Sequence, residues 1–310
     1  MAITQPIRIG TRGSPLALAQ AHETRRRLAA AVEHLSEEGG LEIIEIKTTG
    51  DKIQDRALAE VGGKGLFSKE IDNAMLGGDI DIAVHSMKDV ETWLPDGIVL
   101  AAVLEREDPR DAFVSLKSDS LAALPAGSTV GTSSLRRQAQ LLHRRPDLKV
   151  GLLRGNVQTR LRKLDAGEAD ATFLAIAGLN RLDMVHVATE VLDPDDLLPA
   201  VAQGAIGITC REEDGDLRNL LAAINHKETD VRVTAERTML AALDGSCRTP
   251  IGGLAEFRTD GTLRLRGLVG APDGSRLFET ERSGAAADAE TMGRDAGEEL
   301  RRRAGDDLFE

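Results

Sequence analysis

Tyrosine is absent from this chain of 310 residues, and one tryptophan and six phenylalanines make up the rest of its aromatic complement. So few rings leave little on which unpaired bases stack, which argues against single-stranded nucleic acid as a ligand. Positive charge is also short: 39 Lys and Arg stand against 51 Asp and Glu, a formal net charge of −12. Generic nucleic-acid binders are basic overall or carry a large basic face, so no nucleic-acid partner is expected. Long apolar runs are missing as well. The longest stretch without a charged residue, 120–135, holds Pro125, Gly127 and Gly131 and is too short to span a bilayer, so no membrane partner is expected. Residues 1–13 lack the apolar segment of a secretory signal and already carry Arg8 and Arg12, which makes the cytoplasm the expected address. The two cysteines, Cys210 and Cys247, form no C-x-x-C, and the six histidines stand singly without an H-x-x-x-H spacing. No metal site is expected.

What is present is ordinary for a soluble globular chain, with 41% hydrophobic and 29% charged residues and a length suited to two or three domains. Short β-branched runs alternate with helical patterns, the mark of an α/β fold with largely parallel sheets. Residues 7–10 read as a strand that leads through Thr11-Arg12-Gly13 to Ser14, a helix cap, and Pro15 at the first helical position. Strand, polar turn and helix start make a candidate anion site. Further strands are expected at 41–47 and 80–84, with the glycine-rich stretch 48–67 between them as a loop over a cleft. The same logic recurs at 129–131, capped by Thr132-Ser133-Ser134 before a helix at 135–143. It recurs again at 150–153, where Arg154-Gly155-Asn156 precedes a helix at 157–164. A strand is expected at 171–177, a return into the first sheet at 199–208, a helical stretch at 217–243 and short alternating strands at 254–269. The expected domains are 1–104 plus 203–223, then 105–202, then a smaller α+β domain at 224–310.

Charge is concentrated in one place. Between Gly131 and Lys163 nine basic residues face one acid, Asp147, so this window is +8 and the remainder −20. Arg144, Arg145, Arg162 and Lys163 read best as a solvated helix face. Arg136, Arg137, Arg154 and Arg160 fall at or just beyond strand ends, where planar guanidinium forks suit a carboxylate-rich ligand. No phosphate-loop spacing supports a nucleotide, since Gly62-Gly63-Lys64-Gly65 lacks the required Gly-Lys-Ser/Thr pattern. His85 and Ser86 are adjacent on a strand and point to opposite faces, so they cannot act together as base and nucleophile. Asp89 is either a proton donor or counter-charge at a strand end, or a helix cap. Cys247 lies in the turn Asp244-Gly245-Ser246-Cys247-Arg248, where Arg248 favours a thiolate; it is either a functional thiol or an ordinary turn residue. Cys210 reads as core.

Eight motifs together resemble one family: Arg12-x-Ser14-Pro15-Leu16-Ala17-Leu18, Gly62-Gly63-Lys64-Gly65-Leu66-Phe67, His85-Ser86-Met87-Lys88-Asp89, Glu105-Arg106-Glu107-Asp108-Pro109-Arg110-Asp111, Gly131-Thr132-Ser133-Ser134-Leu135-Arg136-Arg137, Leu153-Arg154-Gly155-Asn156-Val157, Gln203-Gly204-Ala205 and Cys247-x-x-Pro250-Ile251-Gly252. They stand in the order and spacing of the porphobilinogen deaminases, also called hydroxymethylbilane synthases. The resemblance implies a monomeric transferase of tetrapyrrole and heme biosynthesis. Such an enzyme joins four porphobilinogen molecules head to tail, releases ammonia and finally frees a linear hydroxymethylbilane by hydrolysis. It implies two lobes like those of type II periplasmic binding proteins, with the active site between them, and a small third domain. It also implies a dipyrromethane cofactor joined by a thioether to Cys247, which serves as anchor and primer site. Asp89 matches the essential aspartate and also a cofactor-binding position. Lys88, Ser134, Arg136 and Arg137 match cofactor-binding residues; Arg12, Ser14, Arg154, Arg160, Lys64 and Gln203 match groups that bind the acetates and propionates of substrate. Three positions depart from the family pattern: Glu91 stands where proline is common, Ala202 where glycine is frequent, and Glu60 where some members are basic. The alternative is a two-lobed binding protein for small carboxylates, which would need neither Asp89 nor Cys247.

Overall fold

The computed structural model describes residues 6–37, 39–52, 68–244, 249–305 and 308. They form two compact units. The first gathers the described residues up to 53, from 63 to 107 and from 205 to 230; the second gathers those from 108 to 204 and from 231 onward.

Strands are numbered along the chain. In the first unit β1 (Ile7–Arg12), β2 (Leu41–Ile46), β3 (Ile82–Ser86), β4 (Ile98–Val103) and β10 (Ile206–Arg211) build one sheet in the order β2-β1-β3-β10-β4. β1 runs parallel to β2 and β3, whereas β10 is antiparallel to both β3 and β4. The period of two along each strand sorts its side chains between two helical layers. Ile7, Ile9, Ile82 and Val84 pack against Ala21 and Leu28 of the helix Pro15–Ala31 and against Leu217 and Leu221 of Gly215–Leu221. Ala83 packs on the other face with Ile71 and Met75 of Lys69–Leu76.

The second unit repeats the plan with β5 (Asp111–Ser115), β6 (Thr129–Gly131), β7 (Lys149–Gly151), β8 (Ala171–Ala175) and β9 (Glu190–Val191) in the order β7-β6-β8-β5-β9. β6 is parallel to β7 and β8, and β5 is antiparallel to its neighbours β8 and β9. Phe113 and Phe173 are cross-strand partners with ring centroids 6.2 Å apart, in a core with Leu141 of the helix Leu135–Arg144. Ala112, Val114 and Leu174 face the other way, onto Leu164 of Val157–Asp165 and Leu179 of Ile176–Arg181. The same unit contains an antiparallel sheet of β11 (Ile251–Phe257), β12 (Leu263–Gly270) and β13 (Leu277–Gly284), with the helix Ala289–Ala304 and, from Val231 on, the helix Lys227–Ala242, whose first turn belongs to the first unit. The fold is α/β, with two helix-covered sheets and a smaller sheet-and-helix part.

Two expected elements change character. The strand expected over 171–177 stops at Ala175, and Ile176–Arg181 turns helical. An apolar run of this length carries no period that separates strand from buried helix. The helical stretch expected over 217–243 breaks after a short turn of 3-10 helix, Ala222–Ile224, because Asn225 and His226 bind the end of β4 instead. Asn225 Oδ1 accepts the Val103 N–H at 2.8 Å, and the His226 N–H donates to the Val103 carbonyl at 2.8 Å.

Candidate functional site

In the first unit the functional residues lie just beyond β1 and β3. Ser14 caps the helix that follows β1, its Oγ accepting the Ala17 N–H at 3.3 Å, with Pro15 at the first helical position. Arg12, the last residue of β1, is half-buried. β3 ends in a single turn of 3-10 helix, Met87–Asp89. The Met87 N–H donates to the Ala205 carbonyl at 3.0 Å, and the Met87 side chain is buried beside Gly207 of β10. A methyl group on Gly207 would collide with Met87 Sδ, so the close seating of this turn requires glycine there. The turn is therefore pinned from below, and Lys88 and Asp89 are left exposed on it. Asp89 is the last residue of its turn and begins no described helix, so the reading of it as a helix cap is set aside.

His85 and Ser86, as expected for strand neighbours, engage different partners. His85 Nε2 lies 3.0 Å from Thr209 Oγ1, and Ser86 Oγ accepts from the Gln20 side-chain amide at 2.8 Å. Burial, together with the positive charge of Arg12, lowers the His85 pKa to about 4. The ring is neutral at neutral pH.

In the second unit the capped turns form as the sequence indicates. Ser134 Oγ accepts the Arg137 N–H, and Asn156 Oδ1 accepts the Thr159 N–H at 2.9 Å. Gly155 has φ +124°, and a Cβ there would lie 2.5 Å from Thr159 Cγ2, so only glycine fits between Arg154 and the Asn156 cap. Arg160 Nε donates to the Gly155 carbonyl at 2.9 Å, and Arg154 is buried.

Arg136 and Arg137 are not on a solvated face but 5% exposed each, and they converge on Asp111, which is fully buried. Arg136 Nη2 donates to Asp111 Oδ2 at 2.8 Å and Arg137 Nη2 donates to Oδ1 at 2.7 Å. Gln203 Nε2 adds a third donor to Oδ1 at 2.9 Å. The paired guanidiniums hold the Asp111 carboxyl far below the usual carboxylate range against the opposing effect of burial. Three residues picked out by sequence thus meet at a fourth that was quoted within a motif but given no role. Its partners lie 25, 26 and 92 positions away, so nothing local marked it.

Part of the charge of the basic window is taken up by acids outside it. Besides Asp111, Asp196 lies 3.2 Å from Arg144 and Glu168 lies 3.9 Å from Lys163. Arg145 departs from the solvated-face expectation. It is tied to Asp147 at 2.7 Å and donates to the carbonyls of Leu121 and Leu124 at 2.9 and 2.7 Å, closing the end of its helix. Lys64, Cys247 and most of the 48–67 loop lie outside the described residues; within that loop, Thr49–Lys52 is helical.

The fold and these clusters define a two-unit α/β protein with buried guanidinium groups in one unit and an exposed carboxylate on a pinned turn in the other. The family model for porphobilinogen deaminase, dipyromethane cofactor binding domain, matches residues 7–219. The model for the porphobilinogen deaminase C-terminal domain matches residues 231–302. A chloroplastic porphobilinogen deaminase of Oryza sativa subsp. japonica is 59% identical over 307 residues, covering 98% of this chain and 86% of that protein. A porphobilinogen deaminase of Paracoccus denitrificans is 59% identical over 305 residues, covering 98% and 96% respectively. Among solved structures, immunogenic lipoprotein A of Vibrio vulnificus matches with TM-score 0.46 and 14% identity over 72% of this chain and 96% of that one. A periplasmic substrate-binding protein of Coxiella burnetii matches with TM-score 0.44 and 15% identity over 74% and 96%. The chain belongs to the porphobilinogen deaminase family.

The residues of the second unit fit the carboxylate-rich cofactor of that family. Two guanidiniums share one carboxylate, which leaves the Asp111 cluster one positive charge in excess. The Nε atoms of Arg136 and Arg137 are buried and find no acceptor among the described residues. A surplus of buried cationic donors is what an anionic ligand satisfies.

Proposed function

We propose that the chain is a transferase of tetrapyrrole synthesis that joins four porphobilinogen molecules head to tail, releases ammonia and then frees hydroxymethylbilane. Asp89 carries the reading. It is an exposed carboxylate held still on a turn whose underside is locked by Met87 and Gly207. A carboxyl group so placed gives its proton to the departing amine and, as the carboxylate this leaves, balances the positive charge that develops on the pyrrole as the carbon–nitrogen bond breaks. Lys88 beside it holds the dipyrromethane, and Arg12 and Ser14 bind substrate carboxylates. Arg136, Arg137 and Ser134 hold the dipyrromethane, and Arg154, Arg160, Gln203 and Lys64 hold acetate and propionate groups of the substrate or lengthening chain. When bound through Cys247, the dipyrromethane supplies the pyrrole carbon to which the first substrate is joined. Charged hydrogen bonds of about 1.5–3 kcal/mol each suit a ligand that gains two carboxylates with every ring. Among the described residues no helix is long and apolar enough to cross a membrane; the working form proposed is a cytoplasmic monomer.

The test is the denatured intact mass of the protein beside its Cys247→Ser variant, before and after incubation with porphobilinogen. A covalent excess equal to two linked pyrroles, present only with Cys247, is expected. A bare polypeptide mass after incubation, with no bilane formed, overturns the reading in favour of a carboxylate carrier.

A further inference from the structure

Asp111 has no part in the proposed reaction, yet it is fully buried and accepts from two guanidiniums and an amide. We propose that Asp111 is a positioning residue: it fixes the planes of both guanidiniums so that their remaining N–H groups are held ready for the carboxylates of a pyrrole-bearing ligand. This rests on the function proposed above and concerns how the same site is assembled.

A free arginine side chain explores many rotamers, whereas each of these two is held at both terminal nitrogens. Asp111 takes one Nη2 from each, and the Nη1 atoms are held by backbone, Arg136 by the Leu198 carbonyl at 2.7 Å and Arg137 by the Phe173 carbonyl at 2.8 Å. With both ends of a rigid fork fixed, the directions of its other donors are fixed too. Gln203 braces the carboxylate from a third side, donating to Oδ1 at 2.9 Å and to the Pro109 carbonyl at 2.7 Å. Asp111 in turn begins β5, whose pairing with β8 places it beside Ala175. A purely structural ion pair would balance its charges and satisfy its donors. This cluster does neither: it keeps one positive charge in excess and two buried Nε–H groups without an acceptor among the described residues. The arrangement organises cations without neutralising them, which is the requirement for binding an anion at low reorganisation.

The test uses full-length protein carrying Cys247→Ser, so that nothing attaches covalently, titrated calorimetrically with a synthetic dipyrromethane bearing two acetates and two propionates. Adding Asp111→Asn is expected to weaken the Kd about tenfold or more in the folded fraction, the loss appropriate to misdirected charged hydrogen bonds. Asp111→Glu keeps the charge but displaces it by one methylene, and is expected to weaken the Kd about fivefold, less than Asp111→Asn. If Asp111→Asn does not fold, Asp111→Glu decides alone. Titration separates stoichiometry from Kd, and a variant with fewer binding-competent molecules but an unchanged Kd shows a purely structural role and overturns the proposal. Absence of binding by the parent Cys247→Ser protein overturns the function itself and this proposal with it. Binding by the parent, with Kd unaltered in the variants, removes only Asp111's role.

Discussion

Glu236 accepts the backbone N–H of Ala202 at 2.6 Å, and Ala202 is held at φ 58°, in the left-handed region. The other Glu236 oxygen accepts the Ala255 N–H at 2.7 Å, so one buried carboxylate ties the turn before Gln203 to β11. The alanine that stands where the family often has glycine is therefore in a conformation that favours glycine.

Glu236→Gln keeps one acceptor and sets an NH2 group against the second backbone donor. A loss of about 1–3 kcal/mol is expected in urea unfolding. Ala202→Gly relieves the left-handed strain while freeing the unfolded chain, and stays within about 1 kcal/mol of the parent by the same measurement.

Asp89→Asn removes the charge but not the shape of an exposed side chain. Stability is expected to change by less than about 0.5 kcal/mol. The covalent mass excess at Cys247 should persist while the rate of bilane formation, followed after oxidation to porphyrin, nearly vanishes. Formation at the parent rate would remove Asp89 from the chemistry.

His85 gives the protein an acid-side sensitivity of its own. Its pKa is lowered from 6.5 to about 4 in the folded chain, so the unfolded state takes up a proton first as pH falls. The stability it contributes is complete above pH 6.5 and is lost as pH drops toward 4. His85→Gln has no such group, so the stability difference between parent and variant should shift by on the order of 2 kcal/mol across that window, read from urea unfolding at stepped pH.

Burial, reinforced by Asp214, raises the Cys210 thiol to about 11. A thiolate-directed reagent at pH 8 should leave Cys210 unmodified in the native protein and modify it once the chain unfolds. Labelling of native Cys210→Ala should match that of the parent.

Elements whose cause is local were legible in the sequence. Ser14, Ser134 and Asn156 each bind a backbone N–H three residues on, and a short-range rule finds all three. The break at Asn225 escaped notice because its cause, the end of β4, lies 122 residues away. The arginines were legible as a cluster but not as buried groups, since burial depends on Asp111 and on carbonyls 62 and 36 positions distant. Net charge along a window was a poor guide for the same reason: its counter-ions come from elsewhere in the chain. The exposure of Asp89 was equally hidden, because it follows from Gly207 admitting Met87 beneath the turn.

The place of β10 also governs how the protein comes off the ribosome. Among the described residues β4 has no strand neighbour except β10, which follows it by about a hundred residues of chain. While those residues are being translated, the nascent first sheet keeps the edges of β3 and β4 open, and a synthesis that halts before Ile206 leaves them unpaired. The N-terminal hundred residues are therefore not a self-sufficient folding unit, and truncation within the intervening sequence should yield a sticky, chaperone-dependent product instead of a smaller stable protein.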